Sequence, residues 1–260
     1  MTNQNFLNQL FRKRIGWTEE GKLEFSQLGP FLEAAALAFP FENLSITSGS
    51  STPMSEESLI EKLLVRGEGG LCYELNTLLY LFLANNGFDV TMTRGIVYNH
   101  ELQHWPAAGR THIAVILTEQ GERYLLDTGF GINHALRPLP LAGKTAESRN
   151  GSFRLRRETT PYGDYVYEMM LSGRVESWRI GYAFDSTLAL TSLDEPREVQ
   201  EIIERHPESP FNKKPLAAKL TENGSMSLSP QSFTQWIDGK MTKTPISEAE
   251  YADKLRLFGL

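Results

Sequence analysis

The sequence has little cysteine, no excess of basic residues and no long apolar run. Its 260 residues include one cysteine, which excludes an internal disulfide framework and a zinc site built from several cysteines. Acidic side chains outnumber lysine plus arginine by 32 to 26, a formal net charge of -6. Because a nucleic-acid-binding protein needs a basic surface to neutralise phosphates, we expect no nucleic-acid partner.

The lack of apolar runs bears on location. No stretch approaches the roughly 18 continuous apolar residues that cross a bilayer, and the segment 1–9 has no apolar run of signal-peptide length. We therefore expect a cytoplasmic protein with no membrane partner, which an unpaired cysteine also suits. The expected assembly is a monomer or a weak homo-oligomer.

The hydrophobic pattern changes twice along the chain. Up to residue 87, apolar residues recur at helical spacing, with one helix predicted to start at Thr52-Pro53 and another after Cys72, ended by Gly87. From Phe88 the period is two, as in strands, and the last third is mixed. We predict an α+β protein with a helical region at 1–87 that carries the nucleophile, an antiparallel β-barrel at 88–190 and an α/β region at 191–260.

The single cysteine lies between a flexible turn and a helix. Gly67, Gly69 and Gly70 precede Cys72, and a leucine-rich helical pattern follows it. This order places the sulfur at the first turn of a helix, where unpaired N–H groups and the helix dipole favour negative charge. Thiolate is the nucleophilic form of cysteine. The alternative is that Cys72 is a small buried apolar residue.

A nucleophilic cysteine needs a base, and the base needs a partner that orients it. His112 is the only one of the five histidines inside a strand pattern, and the returning strand of the same predicted hairpin ends at Asp127. We predict that Asp127 accepts the Nδ1 proton of His112 and turns the other nitrogen toward the thiol, as in a catalytic triad. Alternatively, His112 is a hydrogen-bonded core residue and Asp127 caps the turn at Gly129.

The remaining histidines are given no catalytic role. His100 and His104 have the spacing of a metal pair on a helix, but Pro106 and Gly109 favour a loop, so no metal is expected. His134 and His206 are predicted to lie on the surface.

Several segments, taken together and in order, resemble one family. Gly-Gly-Leu-Cys72-Tyr-Glu-Leu-Asn76 is similar to the Gly-Gly-x-Cys-Phe-Glu-x-Asn signature of the arylamine N-acetyltransferases. Further segments resemble motifs of that family: Arg14-Ile15-Gly16-Trp17, Phe39-Pro40-Phe41-Glu42-Asn43-Leu44, Thr111-His112-Ile113, Leu126-Asp127-Thr128-Gly129-Phe130-Gly131, Ser209-Pro210-Phe211 and Leu257-Phe258-Gly259. The resemblance spans nearly the whole chain.

The resemblance implies a helical domain, a β-barrel and an α/β lid around a cysteine-protease-like core. It implies a Cys72–His112–Asp127 triad, with acetyl-CoA as the co-substrate that acetylates Cys72. An arylamine or arylhydrazine then takes the acetyl group in a ping-pong scheme. Phe41, Phe130 and Gly131 match family positions at the acceptor pocket.

Two points stay open in the sequence. The family arginine before the Gly-Gly pair is replaced by Glu68, which cannot bond the carboxylate of Glu42; we expect Arg66 to reach Glu42 instead and the loop to be held differently.

In addition, a thiol hydrolase or an amide synthase that uses another acyl donor would need the same triad.

Overall fold

The structure is a computed structural model that describes residues 3–260, with side chains from Phe6 onward; the first two residues of the predicted helical region lie outside the described residues. The N-terminal third is helical. Its elements are α1 (Asn3–Ile15), a 3₁₀ turn (Phe25–Gln27), α2 (Leu28–Ala38), the short strand β1 (Phe41–Glu42), α3 (Leu44–Thr47), α4 (Glu56–Leu59), a π-helical turn (Ile60–Val65) and α5 (Cys72–Asn85).

Stacked aromatic rings hold these helices together. Phe11 of α1 packs on Phe31 of α2 and on Phe82 of α5, with ring centroids 5.5 and 4.5 Å apart. All three rings are almost fully buried, and burial of large apolar side chains is the main favourable contribution to such a core. The core therefore fixes α5, which carries the cysteine.

The predicted helix start at Thr52-Pro53 is wrong. The N-cap of α4 is Ser55, whose Oγ accepts a hydrogen bond from the backbone N–H of Ser58 at 3.1 Å. The backbone N–H of Ser55 donates in turn to the Ser58 hydroxyl oxygen at 2.8 Å. This reciprocal pair satisfies two donors at the helix start, so the helix begins after Pro53 rather than at it.

The middle of the chain forms one antiparallel sheet that curls into a nearly closed eight-stranded barrel. Along the sheet the strands follow the order β5-β4-β3-β2-β9-β8-β7-β6. Their bounds are β2 (Asp89–Val97), β3 (His112–Glu119), β4 (Glu122–Leu126), β5 (Leu139–Pro140), β6 (Ala146–Ser148), β7 (Gly151–Thr160), β8 (Gly163–Leu171) and β9 (Arg179–Phe184).

The alternation of side chains on β3 joins the barrel to the helices. Ile113 and Val115 point to the helical core, whereas Ala114 and Ile116 belong to the barrel core. Since neighbouring residues of a strand face opposite sides, His112 shares the barrel face of β3.

The last third combines a second sheet with two helices. The sheet order is β1-β10-β11-β12-β13, so the N-terminal strand β1 forms one edge. The new elements are α6 (Asp194–Arg205), a 3₁₀ turn (Pro210–Asn212), β10 (Ala217–Thr221), β11 (Gly224–Ser229), β12 (Ser232–Ile237), β13 (Lys240–Pro245) and α7 (Glu248–Phe258). Among residues 3–260, no helix has the length and apolar character to cross a membrane.

The predicted α+β class with a helical N-terminus and a central antiparallel barrel is confirmed. The division at 87 and 190 stays a prediction; Val199 and Ile203 of α6 pack into the core of the N-terminal helices. The predicted strand over 211–220 is shorter, because Ser209 caps a 3₁₀ turn there through its hydroxyl, which accepts the Phe211 N–H at 3.3 Å.

Candidate active site

Cys72 is the first residue of α5, as predicted. Its side chain is nearly enclosed, with 5% of the residue exposed, and Sγ lies 3.4 Å from the carbonyl oxygen of Thr111. The loop after β4 closes over it: a Cβ added to Gly129 would stand 2.6 Å from the Cys72 Cα. Only glycine therefore lets this loop approach the nucleophile so closely.

His112 and Asp127 meet as a buried pair. Nε2 of His112 lies 2.7 Å from Oδ2 of Asp127, and the two residues are 2% and 4% exposed. Their proximity follows from the strand register: Val115 of β3 pairs with Leu126 of β4, so the next residues bring Asp127 diagonally beside His112 on the same face.

The ring of His112 is turned the opposite way from our prediction. Nε2, not Nδ1, faces Asp127, which leaves Nδ1 as the nitrogen available to the thiol. The reason lies in the neighbours of the ring, which packs against Tyr182 and edge-on against Phe130 at centroid distances of 4.4 and 5.4 Å. Tyr182 comes from β9, which the hairpin pattern does not include, and Phe130 comes from the loop after β4.

Asp127 has a complete set of hydrogen-bond donors. Oδ1 accepts bonds from the Asn76 amide and the Gly129 backbone N–H, both at 2.8 Å. Oδ2 accepts from His112 at 2.7 Å and from the Tyr182 hydroxyl at 2.8 Å. A buried carboxylate is expensive unless it is paired and fully hydrogen-bonded, and here both oxygens are satisfied.

Asn76 ties the nucleophile helix to this pair. It lies one helical turn after Cys72 and is fully buried; its amide donates to the Ile113 carbonyl at 2.6 Å as well as to Asp127, and its oxygen accepts from the Thr128 N–H at 2.8 Å. From the sequence, Asn76 is predicted only as part of the cysteine motif, and Tyr182 is given no role. The i, i+4 spacing from Cys72 is the signal that places Asn76 on the same helix face.

Charge stabilises the buried pair. Burial disfavours the protonated ring, but the charges of Asp127 and Cys72 and hydrogen bonds to both outweigh it and raise the pKa of His112 to about 10. Burial likewise opposes ionisation of Asp127, yet His112 and the amide of Asn76 lower the pKa of this carboxyl to about 2. Asp127 is therefore ionised, and the protonated Nε2 of His112 donates a hydrogen bond to it.

This arrangement has the chemistry of an activated nucleophile. A thiol at a helix N-terminus adjoins an imidazole whose far nitrogen is held by an ionised carboxylate. The first N–H groups of α5 have no partner within the helix and are donors for an oxyanion that forms at carbon attached to Sγ. The group can support acyl transfer through a thioester.

The three residues predicted to line an acceptor pocket lie around this group. Phe130 contacts the ring of His112, and the backbone of Gly131 approaches the ring of Phe41, with 3.8 Å between a Cβ added to Gly131 and Phe41 Cδ1. Phe41 also pairs through its backbone with Gly70, two residues before Cys72, and its ring meets Phe211 edge-on at 5.7 Å.

The expectation that Arg66 reaches Glu42 is wrong. Nε of Arg66 binds the Glu68 side chain at 2.6 Å on the surface, since the two residues are neighbours on the same loop. Lys62, one turn earlier, lies 3.5 Å from Glu42 Oε1 instead. The Gly-Gly pair still serves close packing: a Cβ on Gly69 would stand 2.1 Å from the Pro40 carbonyl oxygen.

The histidines at 100 and 104 lie in the predicted loop and bind backbone carbonyls, of Ile180 at 2.7 Å and of Trp105 at 2.9 Å. Within residues 3–260, no cluster of three or more His, Cys, Asp or Glu side chains has the arrangement of a metal site.

A family model described as N-acetyltransferase matches residues 25–258. The chain belongs to the arylamine N-acetyltransferase family. It is 42% identical over 252 residues to the uncharacterized acetyltransferase YvcN of Bacillus subtilis, an alignment that covers 96% of each protein. The predicted acyltransferase class is thereby confirmed.

Two solved arylamine N-acetyltransferases share the whole fold. Arylamine N-acetyltransferase C of Bacillus anthracis is 37% identical, with a TM-score of 0.92 and coverage of 100% of this chain and 99% of that one. An enzyme of Bacillus cereus is 39% identical, with a TM-score of 0.91 and coverage of 98% and 97%; it is described as having a unique Cys-His-Glu catalytic triad. This family member instead has the shorter Asp127 in contact with its histidine.

His134 is buried, contrary to the prediction that it lies on the surface, and His206 is half-buried. The segment that follows Gly131 packs into the barrel core through Ala135, and Asn150 donates to the His134 carbonyl at 2.9 Å. Neither ring nitrogen makes a hydrogen bond to a described residue, although the backbone of Gly131 approaches the ring. Burial lowers the pKa of His134 and outweighs the nearby charge of Asp127.

Replacement of His134 by leucine is therefore expected to reduce the loss of stability in mild acid. The folded protein holds His134 neutral, whereas the unfolded chain binds a proton below about pH 6.5, so this residue destabilises the fold as pH falls, by at most about 1.4 kcal/mol per pH unit. Urea unfolding at about pH 7.5 and about pH 5.5 measures the effect. A matched loss in His134→Leu and wild type would contradict it, and His104→Leu on the exposed loop is the control.

Proposed function

We propose that the protein transfers an acetyl group from acetyl-CoA to the nitrogen of arylamines or arylhydrazines through an acetyl-thioester on Cys72. The observation that carries the proposal is the pairing of His112 Nε2 with Asp127, which leaves Nδ1 for the thiol at the start of α5. Family membership supports acetyl-CoA as donor, and the family member from Mycobacterium marinum has been solved in complex with CoA.

In the first half-reaction, the Cys72 sulfur attacks the carbonyl carbon of acetyl-CoA. The raised pKa of His112 means that its Nδ1 already holds the thiol proton near neutral pH, so the sulfur attacks as a thiolate, and Asp127 accepts a hydrogen bond from the Nε2 N–H throughout. The tetrahedral oxyanion is stabilised by the free N–H of Cys72 at the helix start. When the carbon–sulfur bond to CoA breaks, His112 returns the proton to the leaving CoA thiolate, so one thioester replaces another.

In the second half-reaction, the neutral nitrogen of the amine attacks the acetyl carbon on Cys72. His112 accepts the proton that the nitrogen loses, and the Cys72 thiolate leaves as the amide forms. Aromatic walls suit a flat aryl group, and Phe41 and Phe130 provide such walls next to Gly131. A positive φ of 62° at Gly131 lets the backbone pass close to Phe41.

The intermediate provides a direct test. Protein incubated with acetyl-CoA alone is expected to gain one acetyl group, and peptide mass spectrometry should locate it at Cys72. Addition of anisidine or a hydrazine should then remove the adduct and release the N-acetylated product. No adduct between about pH 6 and pH 9, the range that brackets histidine and cysteine titration, would contradict the proposal.

The fate of the adduct separates the other reactions that the triad could support. Loss of the acetyl group to water at the same rate with and without an amine would indicate a thiol hydrolase. An enzyme that is not acylated by acetyl-CoA but is acylated by a longer acyl donor would be an amide synthase. Both outcomes overturn the proposed acetyl transfer.

A further inference from the structure

Lys62 is a buried lysine held between two carboxylates. Its side chain is 9% exposed, and Nζ lies 2.6 Å from Glu74 Oε1 and 3.5 Å from Glu42 Oε1. Nζ also donates to the Ser45 hydroxyl at 3.2 Å. Lys62 belongs to the π-helical turn, and such turns are frequent at functional sites. One cation thus links β1, α3 and the nucleophile helix α5.

Both carboxylates hold backbone at the active site. Glu74 Oε2 accepts the Leu71 N–H at 2.9 Å, immediately before Cys72. Glu42 Oε2 accepts the Leu44 N–H at 2.6 Å, and the Glu42 N–H donates to the Gly70 carbonyl at 3.1 Å. The two acids therefore fix the segments that carry the nucleophile and Phe41.

The negative charges of the same two acids disfavour the thiolate form of Cys72. Glu74 lies two residues after Cys72 in the first turn of α5, and both acids are nearly fully buried. Negative charge in such a setting is poorly screened and opposes a thiolate nearby. Burial lowers the pKa of Lys62, but the charges of Glu74 and Glu42 outweigh burial and raise it, so the lysine stays protonated.

We propose that Lys62 is a positioning residue for Cys72: its single positive charge offsets part of the negative charge of Glu74 and Glu42, so that these acids can hold the backbone on either side of the site with less opposition to the thiolate. The inference rests on the proposed thioester chemistry. It also explains how the chain works with Glu68 at the position of the family arginine, because the cation is supplied from Lys62.

The test measures alkylation of Cys72 by iodoacetamide as a function of pH. Cys72 is the only thiol, and the reagent needs neither acetyl-CoA nor an amine, so failure of this inference is distinct from failure of the proposed function. Lys62→Met is expected to shift the midpoint of the rate profile upward by about one pH unit. Lys62→Arg should retain the wild-type midpoint.

Two further variants separate charge from folding. Lys62→Met combined with Glu74→Gln should return the midpoint toward that of wild type, since the glutamine still accepts the Leu71 N–H but carries no charge. Arg66→Met removes a cation from the same segment, but at the surface beside Glu68, and should leave the profile unchanged. Should Lys62→Met fail to fold, Glu74→Gln alone is expected to move the midpoint downward.

Equal midpoints in wild type, Lys62→Met and Glu74→Gln would overturn the inference. So would a shift in Arg66→Met as large as that in Lys62→Met, because the effect would then reflect net charge and not the buried contact.

Discussion

Cys72→Ala protein should form no acetyl adduct and show no turnover, while it unfolds at a temperature close to that of wild type. Cys72 is nearly buried but small, and its sulfur makes polar contacts with the Thr111 carbonyl and with the ring of His112. Loss of the sulfur therefore removes the proposed site of acylation with little change in packing. Intact-mass spectrometry after incubation with acetyl-CoA measures the first effect, and thermal circular dichroism measures the second.

Cys72→Ser is the matched control, because serine keeps nearly the shape of cysteine and replaces only the sulfur by oxygen. Its hydroxyl can still donate to Thr111, but an alcohol ionises far less readily than a thiol and is a weak nucleophile without strong activation. We expect this variant to lose turnover as well. An acetyl adduct of wild-type yield in Cys72→Ala would show that another residue is acylated and would contradict the mechanism.

The position of these residues could be predicted because local rules decide it. The turn between β3 and β4 has two residues with positive φ, Gln120 at 51° and Gly121 at 80°, which is the geometry of a tight hairpin. Such a turn fixes the strand register, and the register brings Asp127 beside His112. Likewise, glycines before Cys72 and an apolar pattern after it define the helix start.

The orientation of the histidine ring could not be predicted in the same way. It depends on Tyr182 in β9, which reaches Asp127 across the barrel from a strand 55 residues further along the chain. Such contacts follow from the closure of the sheet and leave no local pattern. The burial of His134 is also decided by the barrel, since a lone polar residue in a turn segment gives no periodic signal.

The ion pairs of the nucleophile loop show a related limit. Arg66 and Lys62 are both cations close to the Gly-Gly pair in sequence, and sequence separation alone favoured the nearer one. The π-helical turn over Ile60–Val65 changes which side chain faces the interior, so Lys62 is buried beside Glu42 and Arg66 stays at the surface. A change from α- to π-helical geometry was not encoded in the apolar spacing.

Asp127→Asn is expected to reduce the rate of Cys72 acetylation by about 10⁴-fold, the loss typical of a triad whose histidine takes the wrong tautomer. Four donors surround the carboxylate. The Gly129 N–H and the Asn76 amide cannot become acceptors, so the asparagine oxygen must face them. Its NH₂ group then faces His112, whose Nε2 has to accept and whose proton moves to Nδ1.

A proton on Nδ1 blocks the nitrogen that should take the thiol proton, so the defect of Asp127→Asn lies in chemistry and not in substrate binding. Single-turnover acetylation should show the full loss in the rate at saturating acetyl-CoA, with little change in the acetyl-CoA concentration that gives half of that rate. Asp127→Glu is the matched control, because it keeps the charge and both acceptors, and a Cys-His-Glu triad is described in the Bacillus cereus relative. We expect Asp127→Glu to retain much more activity than Asp127→Asn. Equal activity in the two variants would show that neither the charge nor the tautomer of His112 controls the reaction.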